Sequence, residues 1–279
     1  FTNSLESIKD KSEDCTSEEI IISLYQNSNL TSAQTNEYEY SKIKIYDTGL
    51  GFNEEEFERF QNLNDNKKGY SNHGTGRVQY LHFFKETKFK TISKNESSKT
   101  GYIQKEFTLS KSNIYLANNA IIHIDSYNEI NSDITFTEVT FGSLLDEKDE
   151  KKYSSISIET LKIDLINHFL DYFCENRSNL PKIKIQKFID ENESDELYIK
   201  AEDIPQLDKE VDLEINYTGY ASNGKDIEKS SDIEVFKLKA YKINANKLEK
   251  NDLKLTSKGQ IVTGKVSKNI KLNHLKEKD

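Results

Sequence analysis

Apolar positions recur along this chain in two rhythms. Over residues 1–12, Leu5 and Ile8 share one side of an otherwise polar segment, the spacing of a short helix. Ile20-Ile21-Ile22-Ser23-Leu24-Tyr25 is short and β-branched and predicts a strand. An Asn-, Ser- and Thr-rich stretch over 26–41 reads as a loop, and Ile43-Lys44-Ile45-Tyr46 alternates as a second strand. Asn53, followed by Glu54, Glu55 and Glu56, has the signature of a helix start: a capping side chain, then anions against the positive end of the dipole. Residues 62–76 are polar and contain glycine, so they read as a mobile loop. Beyond them, Arg77 to Phe84 predicts a helix with Val78, Leu81 and Phe84 on one face.

Closely spaced strand patterns at 87–93, 101–109, 120–126 and 134–141 predict an antiparallel sheet. Ser157 to Cys174 carries Ile158, Leu161, Leu165, Ile166, Phe169, Leu170 and Phe173 at helical spacing. Pro181 ends that pattern, and Ile183 and Ile185 begin another strand. The acidic run 190–196 reads as a solvated linker and a domain boundary. After it, strand patterns at 197–199, 211–217, 234–244 and 253–263 predict a second, mostly β domain with a Lys-rich end.

The 279 residues suit two domains. The chain is polar, with 34% hydrophobic and 31% charged residues and a mean hydropathy of -0.78, yet Ile, Leu, Phe and Tyr recur throughout, which excludes wholesale disorder. No apolar run approaches the roughly 20 residues of a membrane-spanning helix. The opening residues do not read as a signal peptide. Two isolated cysteines, Cys15 and Cys174, suit a reducing cytoplasm rather than a disulfide scaffold. The net charge of -9 disfavours nucleic-acid binding by bulk charge. Methionine is absent even from position 1, which suggests a fragment or dropped methionine positions. Arginine is confined to Arg59, Arg77 and Arg177, so the place of each is informative.

Three segments carry candidate chemistry. Asp47-x-Gly49-x-Gly51-Phe52 lies between a strand and a helix. It reads either as a tight structural junction or as a purine pocket, in which a carboxylate accepts from an exocyclic amine and bare glycines admit a flat base. His73-Gly74-Thr75-Gly76-Arg77 opens a helix, where free backbone N–H groups attract phosphate. Asn3-Ser4-x-Glu6-Ser7 sits on the first helix, and an Asn oxygen can serve Mg²⁺ when a nucleotide supplies the other ligands. The five histidines show no metal-ligand spacing, and Cys174 reads as core rather than nucleophile.

Taken in order, these segments resemble the gyrase, heat-shock chaperone, histidine kinase and MutL (GHKL) superfamily. The resemblance is close over residues 1–188 and loose over 189–279. It implies an α+β fold, the Bergerat two-layer sandwich, with a mixed, mostly antiparallel sheet and helices on one face. In that reading 1–188 is the ATP-binding domain and 189–279 a β-rich, transducer-like domain. Asn3 matches the family's Mg²⁺-binding Asn, with Glu6 in place of its usual Asp. Asp47 matches the adenine-reading Asp, with Gly49, Gly51 and Phe52 around the base. Gly74, Thr75 and Gly76 match the phosphate turn, with Arg77 beside it as in a bacterial branch of stand-alone members. Thr137, in Phe136-Thr137-Glu138-Val139-Thr140, matches the strand Thr that supports the Asp.

The family's general-base Glu falls upstream of Phe1, so the resemblance leaves hydrolysis open. It implies ATP and Mg²⁺ as ligands and a nucleotide-dependent homodimer, and it names no client. A Mg-dependent ATPase, a non-hydrolysing ATP switch and a histidine kinase catalytic domain all remain readings, the last disfavoured by the lack of a phosphoacceptor helix. Lys258, in a strand–turn–strand pattern, reads as a phosphate sensor or as an ordinary hairpin lysine.

Overall fold

The computed structural model describes residues 1–29, 38–61, 76–112, 121–220, 227–242, 256–257 and 260–261. The chain divides into two compact units, Phe1–Leu165 with Ser178–Lys200, and Ile166–Arg177 with Ala201–Asp279.

The first unit is built on an eight-stranded sheet. Its strands are β1 (Glu19–Asn27), β2 (Glu39–Asp47), β3 (Glu86–Lys94), β4 (Tyr102–Ser110), β5 (Ile122–Ile130), β6 (Phe136–Phe141), β7 (Lys182–Ile189) and β8 (Asn192–Ile199). They lie in the order β5-β4-β3-β6-β2-β1-β7-β8. Only β1 and β7 run parallel; every other neighbouring pair in the sheet is antiparallel. The fold is therefore α+β with a mixed, mostly antiparallel sheet. The helices are α1 (Thr2–Lys11), α2 (Glu54–Gln61), α3 (Gly76–Phe83), α4 (Glu147–Ser154) and α5 (Ile158–His168), the last of which runs into the second unit.

Alternation along the strands decides which face is covered. On one face Ile45, Val139, Phe89 and Phe107 stand opposite one another across β2, β6, β3 and β4, and Ile43, Phe141, Thr87 and Leu109 form the next row. Phe89 and Phe107 stack at 4.6 Å, an arrangement worth about 1 kcal/mol beyond burial. Phe57 and Phe60 of α2, Phe52 before it and Tyr80 of α3 pack on this aromatic group. Tyr153 of α4 and Phe84 join Phe141 and Tyr40 beside it. The opposite face is lined by Lys–Glu pairs such as Lys44–Glu138, Lys90–Glu106 and Lys184–Glu196, which neutralise one another across strands.

The acidic run 190–196 is the turn and much of the second strand of the β7–β8 hairpin, not a linker. Asp190 and Glu191 both take positive φ, as a two-residue hairpin turn with the twist of its strands requires. This pairing carries the chain to Lys200 within the first unit. The apolar stripe read as one helix over 157–174 is two, α5 and α6 (Leu170–Glu175), broken at Phe169, whose ψ of 23° leaves the helical region.

The second unit contains α6, a 3₁₀ turn at Ala201–Asp203 and a long hairpin of β9 (Gln206–Tyr220) and β10 (Ile227–Lys242). A short ladder pairs β11 (Thr256–Ser257) with β12 (Gln260–Ile261). Buried Asp171 joins helix to hairpin by accepting from Lys239 Nζ at 2.9 Å and from the Tyr241 hydroxyl. Arg177 donates twice to the Ala201 carbonyl, and Arg59 pairs with Glu56 one turn back on α2, so two of the three arginines have structural duties. Burial pushes the Cys174 thiol up to about 12, which makes it inert as a nucleophile. Among the described residues no helix is long and apolar enough to cross a membrane.

Candidate functional site

One row of the helix-covered face of the sheet is lined by polar side chains. Asp47 at the end of β2 faces Thr137 on β6, Thr137 faces Thr91 on β3, Thr91 faces Lys105 on β4, and Lys105 faces Tyr127 on β5. Asp47, Thr137, Thr91 and Lys105 are all buried. Buried polar groups of this kind persist only where they are bonded or used.

Asp47 is 5% exposed. Burial raises its carboxyl above the ordinary carboxylate range, while hydrogen bonds from the Ser4 hydroxyl and the Gly49 N–H, the latter at 3.1 Å, pull the other way. A carboxylate has about four acceptor positions, so two such donors leave it capacity for a third partner. Thr137 stands directly across the ladder, close enough to share one.

The turn after Asp47 is held by hydroxyls from three elements. Thr48 Oγ1 accepts from the Glu19 N–H at 2.8 Å and donates to Glu18 Oε2 at 2.6 Å. Ser7 of α1 accepts from the Leu50 N–H at 2.9 Å. Thr135 donates to the Gly49 carbonyl at 2.6 Å, and Ser93 to that of Phe52 at 3.0 Å. Thr91 accepts from the Phe52 N–H at 2.9 Å and donates to the Phe136 carbonyl at 2.8 Å. Asn53 then caps α2, its side-chain oxygen accepting from the Glu56 N–H at 2.8 Å.

The two glycines of the motif are explained first by this packing. A Cβ on Gly49 would strike Ser7 and come within 2.9 Å of Asp47 Oδ1. Gly51 has φ +75°, and a Cβ there would strike the Ile92 carbonyl. Both spaces are filled by the protein's own atoms, so the glycines let α1 and β3 close on the turn. Phe52 likewise turns into the aromatic group under α2, in contact with Phe60, Phe89 and Phe107.

On α1, Ser4 and Ser7 face the turn, while Asn3, one turn before Ser7, is exposed, and Glu6 is half-buried. Asn3 is thus exposed on the side of α1 that carries Ser7. Gly76 is the first residue of α3, and Arg77 follows it. Gly74 and Thr75, like Lys258, lie outside the described residues. Among the described residues no group of three or more His, Cys, Asp and Glu side chains converges to hold a metal ion.

Three residues that the motif reading passed over are central to this geometry: Thr91, Thr135 and Lys105. Lys105 is 2% exposed, its Nζ 3.0 Å from Glu54 Oε1 and 4.9 and 5.5 Å from the ring centres of Phe57 and Tyr127. Tyr127 donates to the same Glu54 oxygen at 3.0 Å. Burial works against the Glu54 charge, but these partners prevail and hold its carboxyl below the usual range. The two ends of the pair are unequal, because the Glu54 side chain is 60% exposed and can be hydrated when alone. Glu54→Ala strands a buried ammonium and is expected to cost about 2 kcal/mol, whereas Lys105→Met, which fills the same space among the rings, is expected to cost less than about 1 kcal/mol. Urea denaturation of the two variants measures this asymmetry.

No family model matches the chain, and no curated protein matches its sequence. Parts of the chain superpose on solved structures. The ATPase region of Saccharomyces cerevisiae topoisomerase II is 13% identical with a TM-score of 0.36, over 71% of this chain and 47% of that one. The Aquifex aeolicus MutL ATPase domain complexed with ADP is 12% identical with a TM-score of 0.36, over 77% and 68%. The N-terminal domain of a DNA repair protein is 12% identical with a TM-score of 0.38, over 77% and 61%. The chain thus spans about half the length of the topoisomerase region.

Proposed function

We propose that this chain is an ATP-binding module of the GHKL type, acting as a Mg-dependent ATPase whose nucleotide state drives lid closure and dimerisation. The observation that carries the reading is Asp47: a buried carboxylate at the end of a central strand, opposite a buried Thr137, fixed by Ser4 and the Gly49 N–H and retaining acceptor capacity. A purine exocyclic amine is the donor that such a group selects, and the carboxylate makes the bond charge-assisted.

The remaining roles follow the order of the motifs. Asn3 suits a Mg²⁺ ion held chiefly by phosphate oxygens, because its amide oxygen is exposed on α1 and is a hard ligand. Such an ion would offset phosphate charge. The β- and γ-phosphates are assigned, on the sequence pattern alone, to Gly74-Thr75-Gly76-Arg77, because glycines at a helix start suit phosphate and an arginine can pair with it as a bidentate cation.

Isothermal calorimetry tests the reading. Saturable binding of Mg-ATP, with Mg-GTP bound more weakly, is expected; absence of binding at about 1 mM nucleotide overturns it. Phosphate release in the same samples separates an ATPase from a switch that binds without turnover.

A further inference from the structure

We propose that Thr91 is a positioning residue of this site, setting the spacing between Asp47 and Thr137 and through it the choice of base. The proposal rests on the nucleotide reading above. Thr91 has 0% exposure, so it acts through other groups and cannot itself touch a ligand.

Its hydroxyl has two partners from different elements. It accepts from the Phe52 N–H, at the end of the turn that begins at Asp47, and donates to the Phe136 carbonyl, the residue before Thr137. One oxygen therefore ties the far end of the carboxylate's turn to the strand that carries the opposing hydroxyl. Thr91 also stands directly opposite Thr137 in the β3–β6 ladder, so the tie lies in the same row as the two groups it spaces. Gly51 has no side chain where a Cβ would come within 2.9 Å of Thr91 Oγ1, which keeps the approach open. Ser93 holds the carbonyl of the same Phe52, so both backbone groups of that residue are fixed by β3. A site read by hydrogen bonds discriminates only as well as its donors and acceptors are placed, and a displacement of about 1 Å can cost a hundredfold.

Thr91→Ser and Thr91→Ala separate the hydroxyl from packing, because both lose the same methyl group and only the second loses the oxygen. The probes are Mg²⁺ with the non-hydrolysable imido analogues of ATP and GTP, measured by calorimetry, with thermal unfolding of each variant alongside. The Ser variant is expected to bind the adenine analogue within about twofold of wild type and to keep its preference over guanine. The Ala variant is expected to bind about tenfold more weakly and to lose much of that preference. A merely structural Thr would lower the unfolding temperature of both variants and leave the base preference of both intact, and that result overturns the proposal. If the Ala variant does not fold, Thr91→Val decides, since it keeps the shape and lacks only the oxygen: a folded Val variant that keeps the base preference overturns the proposal, and one that loses it while the Ser variant keeps it supports it. Wild type that binds neither analogue instead defeats the nucleotide reading itself.

Discussion

Asp47→Asn is expected to weaken ATP binding by at least about a hundredfold while leaving the apo protein no less stable than wild type. The substitution keeps the shape of the side chain and changes one oxygen into a donor. In the buried row beside Thr137, that donor meets the donor of the base amine, and the charge that strengthened the contact is gone. Stability moves the other way because burial raises the Asp47 carboxyl above its unfolded value. A group raised in the folded state adds stability that is present below its unfolded pKa and is lost as pH rises through the folded one. Wherever Asp47 is ionised it therefore costs the apo protein stability, and Asn removes that cost. The unfolding temperature of Asp47→Asn should match or exceed wild type at pH 7, with the advantage fading as the pH falls below the ordinary carboxylate value of about 3.9, where the acid becomes protonated in both states. ATP affinity of the wild type should fall as pH drops through the raised pKa, since the accepting carboxylate disappears. Calorimetry and thermal unfolding from pH 3 to 8 read both; an Asn variant that binds ATP like wild type removes Asp47 from the role.

The reach of the sequence differs between these residues for physical reasons. Asp47, Gly49 and Gly51 were legible because a strand, a turn and a capped helix follow one another within a few residues, and local rules cover that span. The strands around Phe89 and Phe107 were legible because polar residues flank the buried rings, Lys88 and Lys90 beside Phe89 and Glu106 and Thr108 beside Phe107. Thr91 and Thr135 were not, since a threonine in a β pattern reads as ordinary strand propensity. Their partners, Phe52 and Gly49, lie 39 and 86 residues away. The row from Asp47 to Lys105 exists only once the register of four strands is known. The acidic run 190–196 misled for a related reason. Its charge signalled solvent, and solvent is where it lies, but on an edge strand whose Glu193 and Glu196 meet Lys184 of β7. Helix α4 is polar but for Tyr153 and has no apolar stripe; its one local sign was Asp146, whose side chain caps it by accepting from the Lys148 N–H.

Gly51→Ala is expected to be the most damaging single-methyl change in the motif, costing about 4 kcal/mol, a large part of the 5–15 kcal/mol that holds a typical domain together. Two costs add. An alanine at φ +75° pays about 1 kcal/mol for the left-handed conformation. The larger cost is collision: the new methyl meets the Ile92 carbonyl oxygen and lies 2.9 Å from both the Ile92 carbonyl carbon and Thr91 Oγ1. That backbone belongs to β3, which is laddered to β4 and β6, so it cannot swing aside as a flexible side chain would. Gly101 supplies the control within the same chain. Its φ is +79°, but a Cβ there meets nothing within 4 Å, so Gly101→Ala isolates the conformational cost at about 1 kcal/mol. The difference between the two variants in urea denaturation, about 3 kcal/mol, is then the steric price of closing β3 onto the turn. Equal losses at the two positions would mean that the turn yields freely, and that the tight seating of Gly51 against Ile92 and Thr91 does not hold the site in place.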